Sequence, residues 1–137
     1  MTGFVVDGMN VIGSRPDGWW RDRDAAARRL LARLQALAAE SGDEFTLVLD
    51  GRPLDDLPEG VHDDVEVLYA RRPGRDAGDD RIVELVACSP DATALRVVTS
   101  DRDLAARARE LGAEVVGARS LLTRLDRLPD DVLPGDR

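Results

Sequence analysis

The stretch that decides the fold is Phe4-Val5-Val6-Asp7-Gly8-Met9-Asn10-Val11-Ile12, where an apolar run ends in a carboxylate, a glycine and, soon after, a carboxamide. Two further apolar runs, 47–49 and 95–98, are likewise followed by an aspartate, Asp50 and Asp101. Short apolar runs of this kind are typical of buried strands in a parallel sheet. Since the carboxyl ends of parallel strands share one edge, the sequence predicts that carboxylates gather there.

The segments between these runs have the apolar spacing of amphipathic helices. The helix after the first strand is predicted to start at Asp22 or Asp24 and to stop at 41–42, and further helices are predicted near 79–88, 103–111 and 118–128. This alternation predicts an α/β fold: a three-layer sandwich with a central, mostly parallel five-stranded sheet. The strand order is taken as 3-2-1-4-5. Residues 1–128 are expected to form one domain, and 129–137 a frayed tail.

Composition narrows the classes of protein. A length of 137 residues with 43% hydrophobic and 34% charged residues fits one folded domain, and the apolar runs are too short to span a bilayer. The first residues lack the features of an export signal, so a cytoplasmic location is expected. Cys88 is the only cysteine and is expected to pack in the core, and His62 is the only histidine, which disfavours Ser–His and Cys–His catalysis.

The formal net charge of −8 argues against tight, nonspecific binding of a long polyanion. This argument is weaker for a metal-dependent nuclease, because acidic residues crowd its catalytic pocket and bound cations offset their negative charge. All 19 basic residues are arginine, whose side chain matches phosphate with two parallel hydrogen bonds, although GC-rich coding would produce the same bias.

An acidic site is predicted where the strand order reverses, between strands 1 and 4, with Asp7 and Asp101 lining the crevice. The other candidate metal ligands are Asp79 and Asp80, which begin the helix after strand 3, and Asp103. Mg²⁺ and Mn²⁺ prefer such oxygen ligands, supplied from different elements. Each aspartate also has a structural reading as a turn or helix-cap residue. Asp50 is read as a turn residue, because strand 2 is taken to lie one strand away from the crevice.

Two polar residues accompany these carboxylates. Asn10 can hold a phosphate oxygen or orient Asp7, or else cap the following turn. Ser100 can donate to a phosphate or cap the helix that follows.

Other enzyme classes fit less well. A phosphatase of the haloacid dehalogenase type requires a second aspartate where Met9 stands, and a Toprim-like fold needs a glutamate where Asp7 stands. A dinucleotide-binding domain needs a glycine-rich fingerprint that the sequence lacks.

Three blocks, 6–12, 76–82 and 98–104, together resemble the NYN domain family of the PIN-like ribonuclease superfamily, in its YacP-like branch. The resemblance covers nearly the whole chain. It implies a PIN-like sandwich with the strand order 3-2-1-4-5, and metal-dependent endonucleolytic cleavage of RNA, with Asp7, Asp79 and Asp101 as Mg²⁺ or Mn²⁺ ligands and Asn10 as the accompanying polar residue. Asp80 and Asp103 are auxiliary ligands in this reading. Gly78 stands where such sequences often have alanine.

The implied partner is RNA, single-stranded or ribosome-associated, with a homodimer left open. Basic and hydroxyl side chains at the rim of the acidic pocket are the candidates for contact with the RNA backbone: Arg71, Arg72 and Arg75 in the loop before the acidic helix, and Ser100 and Arg102 after strand 4. A solvated loop explains the first three equally well. The alternative function is a noncatalytic PIN-like module that binds RNA or another protein without turnover.

Overall fold

The computed structural model describes residues 3–71, 73–74 and 77–128. Within these ranges one sheet contains six strands, which are β1 (Gly3–Asp7), β2 (Glu44–Leu49), β3 (Gly60–His62), β4 (Val65–Tyr69), β5 (Leu95–Val98) and β6 (Glu114–Val116). Their order is β3-β4-β2-β1-β5-β6, and every neighbouring pair is parallel except β3 and β4. The predicted α/β class and strand order are confirmed. The predicted number of strands was one too low, because β3 has only three residues and carries almost no apolar pattern.

The helices are α1 (Gly8–Gly13), α2 (Arg23–Ser41), α3 (Ala77–Ala87), α4 (Arg102–Glu110) and α5 (Ala118–Asp126). The predicted start and stop of α2 are confirmed: the Asp22 carboxylate accepts from the backbone N–H of Ala25 at 3.0 Å, and Gly42 ends the helix with φ 75°. Helix α1 was not predicted. It starts directly at Gly8, where a β-carbon would lie 2.8 Å from the backbone oxygen of Val48, so only glycine lets the chain turn so close to β2.

The core has two parts, one on each face of the sheet. Phe4 and Val6 of β1 point to the face covered by α1, α2 and α5, whereas Val5 points to the face covered by α3 and α4. This alternation follows from the period of two along a strand. Helices cover both faces of the sheet, which explains why β1 is apolar up to its last residue, Asp7.

Cys88 does not lie where the sequence predicted. Cys88 is exposed at the end of α3, so the expectation that it packs in the core was wrong. Its position follows from the helix, whose buried face is already filled by Ile82 and Val86.

The predicted tail 129–137 lies outside the described residues. Among the helices that the structure describes, none combines the length and apolarity that a membrane span requires.

Candidate active site at the carboxyl edge of the sheet

Asp7 is the last residue of β1 and lies at the carboxyl edge of the central strand. Because side chains alternate along a strand, Asp7 shares its face with Val5, on the side covered by α3 and α4. Only 9% of Asp7 is exposed, and Asp7 and Thr99 are the buried polar residues of the described chain. A carboxylate in such a position is a candidate for chemistry.

The charge of Asp7 is held in an unfavourable environment. Burial, together with the negative charges of Asp50 and Asp101, raises the pKa of Asp7 from 3.8 to about 6, with burial as the largest cause. The Thr99 hydroxyl and the nearby backbone N–H of Asn10 lower this pKa and so offset part of the shift. Thr99 Oγ1 donates to Asp7 Oδ2 at 2.9 Å. The site therefore needs positive charge to keep Asp7 ionised at low cost.

Asn10 links the start of α1 to the loop after β5. Its Oδ1 accepts from the backbone N–H of Ser100 at 2.8 Å. This contact fixes the amide plane, so that Nδ2 remains to donate elsewhere. The Ser100 hydroxyl accepts from the backbone N–H of Ala118 at 3.0 Å and thereby ties this loop to the start of α5. The loop after β5 is thus tied to α1 and to α5. Asn10 lies beside Asp7, as expected of a residue that orients this carboxylate.

Asp101 is the N-cap of α4. Its Oδ1 accepts from the backbone N–H groups of Asp103 and Leu104 at 2.9 and 3.0 Å. The cap reading of this aspartate is therefore correct for one oxygen. In the part of the chain that the structure describes, no hydrogen bond involves Oδ2 of Asp101, and the side chain acts electrostatically on Asp7. One carboxylate can thus cap the helix with one oxygen and offer the other to a ligand.

Asp50 is the residue that sequence reasoning missed. Strand β2 lies one strand away from the crevice between β1 and β5, as predicted, but its pairing with β1 puts Val48 opposite Asp7, and the charge of Asp50 acts on Asp7 from there. Asp50 is half-buried; burial raises its pKa, and the positive charge of Arg23 partly offsets this rise. The period of two gave the missing signal: Asp50 follows Val48 by two residues and so shares the face of Val5 and Asp7.

Gly78 explains how Asp50 fits against α3. A β-carbon at Gly78 would overlap Asp50 Oδ1 and lie 3.4 Å from its Cγ. The first turn of α3 therefore packs on the Asp50 carboxylate, and a side chain at position 78 would force this carboxylate to move.

The remaining predicted ligands take different positions. Asp79 and Asp80 lie in the first turn of α3 and are half-buried, as predicted for residues at the start of that helix. Asp80 Oδ1 accepts from Arg107 Nη2 of α4 at 3.1 Å, and this ion pair connects α3 with α4. Asp103 is exposed in the first turn of α4. Neither the auxiliary role of Asp80 nor that of Asp103 follows from these contacts.

The arginines that were predicted to contact RNA also lie in different surroundings. Arg71 is exposed but forms a two-oxygen ion pair with Glu84, with Nη2 at 2.7 Å from Oε1 and Nε at 3.2 Å from Oε2. Arg72 and Arg75 lie outside the described residues. Arg102 is exposed at the start of α4, beside Asp101.

Whether the residues fit a divalent ion can be judged from their chemistry. Within 3–71, 73–74 and 77–128, no group of three or more His, Cys, Asp or Glu side chains is arranged to hold a metal ion. Mg²⁺ usually takes only one or two carboxylates and completes its octahedron with waters and substrate phosphates. Asp7, with its raised pKa and its coupling to Asp50 and Asp101, offers oxygen ligands where a cation would relieve repulsion. The donor set therefore fits Mg²⁺ or Mn²⁺ bound together with substrate.

The chain is similar to known proteins in sequence and in fold. Residues 4–133 match a family described as the YacP-like NYN domain. The structure is similar to the crystal structure of the W164L mutant of Rae1 (YacP) from Bacillus subtilis, with 25% identity and a TM-score of 0.76 over 93% of this chain and 77% of that one. A second crystal structure, also titled Rae1 (YacP) from Bacillus subtilis, matches with 26% identity and a TM-score of 0.69 over 93% and 75% of the two chains. No curated protein matches the chain.

Proposed function

The chain belongs to the YacP-like NYN domain family, a family of PIN-like nucleases, and we propose that it is a metal-dependent endoribonuclease. The observation that supports this most directly is the buried Asp7 carboxylate, which lies at the carboxyl edge of the sheet under the electrostatic influence of Asp50 and Asp101. Burying an anion near other anions costs free energy, and a site that binds a divalent cation and a phosphodiester recovers it.

In this proposal Asp7 is the central ligand of Mg²⁺ or Mn²⁺, with Asp101 Oδ2 and Asp79 as the partners that the resemblance implies and Asp50 as an addition from the structure. When bound, the cation supplies positive charge that stabilises the phosphate and lowers the pKa of water. Asp80 and Asp103 remain predicted auxiliaries.

The chain's own residues position the groups that react. Thr99 donates to Asp7 Oδ2 and so holds the carboxylate in one orientation. Asn10, fixed through its contact with Ser100, directs its Nδ2 group to a phosphate oxygen of the substrate. Hydrolysis adds water to phosphorus and breaks one phosphorus–oxygen bond of the backbone, so no covalent bond to the protein forms.

RNA is the proposed substrate, and single-stranded RNA is favoured because Asp7 is only 9% exposed. A phosphodiester must enter the sheet edge to reach it, which a flexible strand does more easily than a duplex. Association with ribosomes and formation of a homodimer stay predictions. The Arg71 side chain is a weaker candidate for RNA contact than the sequence indicated, since Glu84 already pairs with it.

The test is cleavage of an end-labelled single-stranded RNA by the purified chain with Mn²⁺ and with EDTA. We expect the wild type to cleave only with Mn²⁺, and Asp7→Asn to lower the rate by roughly 100-fold or more, because it removes charge at the reacting centre. Glu110→Gln is the matched control, since Glu110 is an exposed carboxylate at the far end of α4.

Equal rates for the wild type and Asp7→Asn would contradict the proposal and would indicate a contaminating nuclease. Binding of RNA by the wild type without cleavage in Mn²⁺ would support the noncatalytic module instead.

A further inference from the structure

A shallow groove continues from Asp101 along α4. It has a volume of about 460 Å³ and lies between α4 and the turn from β6 to α5. The residues that define it are Ser100 and Asp101 at one end, Arg102 and Arg109 along the helix, and Val115 and Gly117 on the opposite side. We call this feature the α4 groove. All of its lining residues belong to the described ranges.

Two arginines give the α4 groove a positive side. Arg102 and Arg109 are both exposed and are seven residues apart, so they lie on one face of the helix about 10 Å apart along its axis. In the chain as the structure describes it, neither of them forms an ion pair. The remaining arginine of α4, Arg107, pairs with Asp80 of α3 at 3.1 Å and so belongs to the contact between these helices.

Arg71, which the sequence predicted to contact RNA, is less available to a phosphate. The guanidinium of Arg71 lowers the pKa of Glu84, and the Glu84 carboxylate raises the pKa of Arg71, as expected for an ion pair. An RNA phosphate would have to compete with this carboxylate for Arg71. Among the residues that the structure describes, no carboxylate forms an ion pair with Arg102 or Arg109, which makes the β5–β6 side of the sheet the better path for a polyanion.

We propose that the α4 groove binds the backbone of the single-stranded RNA on one side of the phosphodiester that is cleaved. Arg102 contacts a phosphate close to the acidic site, and Arg109 contacts one further along the strand. The spacing along the helix separates the two guanidinium groups enough for distinct phosphates. This inference rests on the proposed function, because it assigns a path to the substrate of that same site. It also explains how a chain with a net charge of −8 binds RNA at one place.

The test is the salt dependence of RNA binding. Binding of a fluorescent 12-nucleotide oligouridylate is measured in EDTA from low to moderate NaCl, with every variant built in an Asp7→Asn chain so that the RNA stays intact. Each phosphate contact on single-stranded nucleic acid contributes about −0.7 to the slope of log K against log salt. We expect Arg109→Ala and Arg102→Ala each to reduce the steepness of the slope by about 0.7, and the double variant by about 1.4.

Arg127→Ala is the matched control, because Arg127 is an exposed arginine that follows the last residue of α5, and this helix runs away from the carboxyl edge. It should leave the slope unchanged. A slope and affinity for Arg109→Ala equal to those of Arg127→Ala would overturn the proposal. Circular dichroism spectra verify that each variant is folded.

This result and the cleavage assay can fail separately. If the wild type cleaves RNA with Mn²⁺ but Arg109→Ala keeps the control slope, the α4 groove is not the RNA path although the nuclease proposal stands. If the slope changes as expected but no cleavage occurs, the groove binds RNA and the nuclease proposal fails.

Discussion

At the scale of single residues, the site depends on a glycine as much as on its carboxylates. Gly78 lets the first turn of α3 approach Asp50, whose charge contributes to the raised pKa of Asp7. In the sequence, Gly78 was noted only as a position where similar sequences often have alanine. The structure gives it a steric role, because the space of a β-carbon is occupied by the Asp50 carboxylate.

Gly78→Ala should therefore lower activity while leaving helix α3 intact. The new β-carbon displaces the Asp50 carboxylate, and we expect the rate of Mn²⁺-dependent RNA cleavage to fall by about 10-fold, in the range seen when groups supporting a metal site are disturbed. Alanine also has the higher helix propensity, so the substitution should not destabilise α3 itself. The measurement is the cleavage rate across Mn²⁺ concentrations, together with urea denaturation.

Two comparisons sharpen this experiment. Gly13→Ala is the control, since a β-carbon there meets only Trp19 Cζ2 at 3.8 Å. The double variant Asp50→Asn/Gly78→Ala should lower the cleavage rate no further than Asp50→Asn alone, because both changes act through the same carboxylate. Full activity of Gly78→Ala would mean that the position of Asp50 is irrelevant to cleavage.

At the scale of secondary-structure elements, helix starts and strand ends meet at the site. Helix α1 begins at Gly8, directly after β1, and α4 begins at Arg102, with Asp101 as its N-cap, shortly after β5. An aspartate at a helix start serves the helix by accepting from free N–H groups, and Asp101 does this with Oδ1. The proposed ligand role of Asp101 must therefore be separated from its role as a cap.

Two substitutions at Asp101 make this separation. Serine also caps helices well, so Asp101→Ser should leave the free energy of unfolding within about 0.5 kcal/mol of the wild type. Asp101→Ala should lower it by about 1 kcal/mol. If Asp101 is also a ligand, both variants lose RNA cleavage to a similar extent. Urea denaturation and the cleavage assay are the measurements, and wild-type activity of Asp101→Ser would show that this aspartate is only a cap.

At the scale of the whole molecule, the buried Asp7 links stability to pH. The pKa of Asp7 is about 6 in the folded chain against 3.8 for an ordinary aspartate, so the folded state binds the proton more tightly than the unfolded state. The stability from this residue is complete below pH 3.8 and is lost as the pH rises through about 6. The loss is on the order of 3 kcal/mol.

Asp7→Asn, which stays neutral, should escape this loss. In EDTA at pH 8 we expect its free energy of unfolding to exceed that of the wild type by roughly 2 to 3 kcal/mol, with the difference disappearing near pH 3.5. Urea denaturation at a series of pH values measures both proteins, and Glu110→Gln provides a variant with the same change of charge at an exposed position. A difference that does not vary with pH would contradict the assigned pKa.

The fold was largely predictable because its signals are local. The apolar runs that became β1, β2 and β5 and the helix from Asp22 to Gly42 follow from residue spacing and cap chemistry. Strand β3 was missed because an edge strand of three residues, with Val61 71% exposed, carries almost no apolar pattern. Helix α1 was missed because it has only six residues.

The sequence by itself determined the parallel sheet and the edge to which Asp7, Asn10 and Asp101 belong, since apolar periodicity and the direction of the strands decide these. Only the tertiary structure decided that Asp50 acts on Asp7, that Asp80 pairs with Arg107 and that Arg71 pairs with Glu84. These facts depend on the distance between atoms that are far apart along the chain. A local pattern carries no information about such distances until the helices are packed against the sheet.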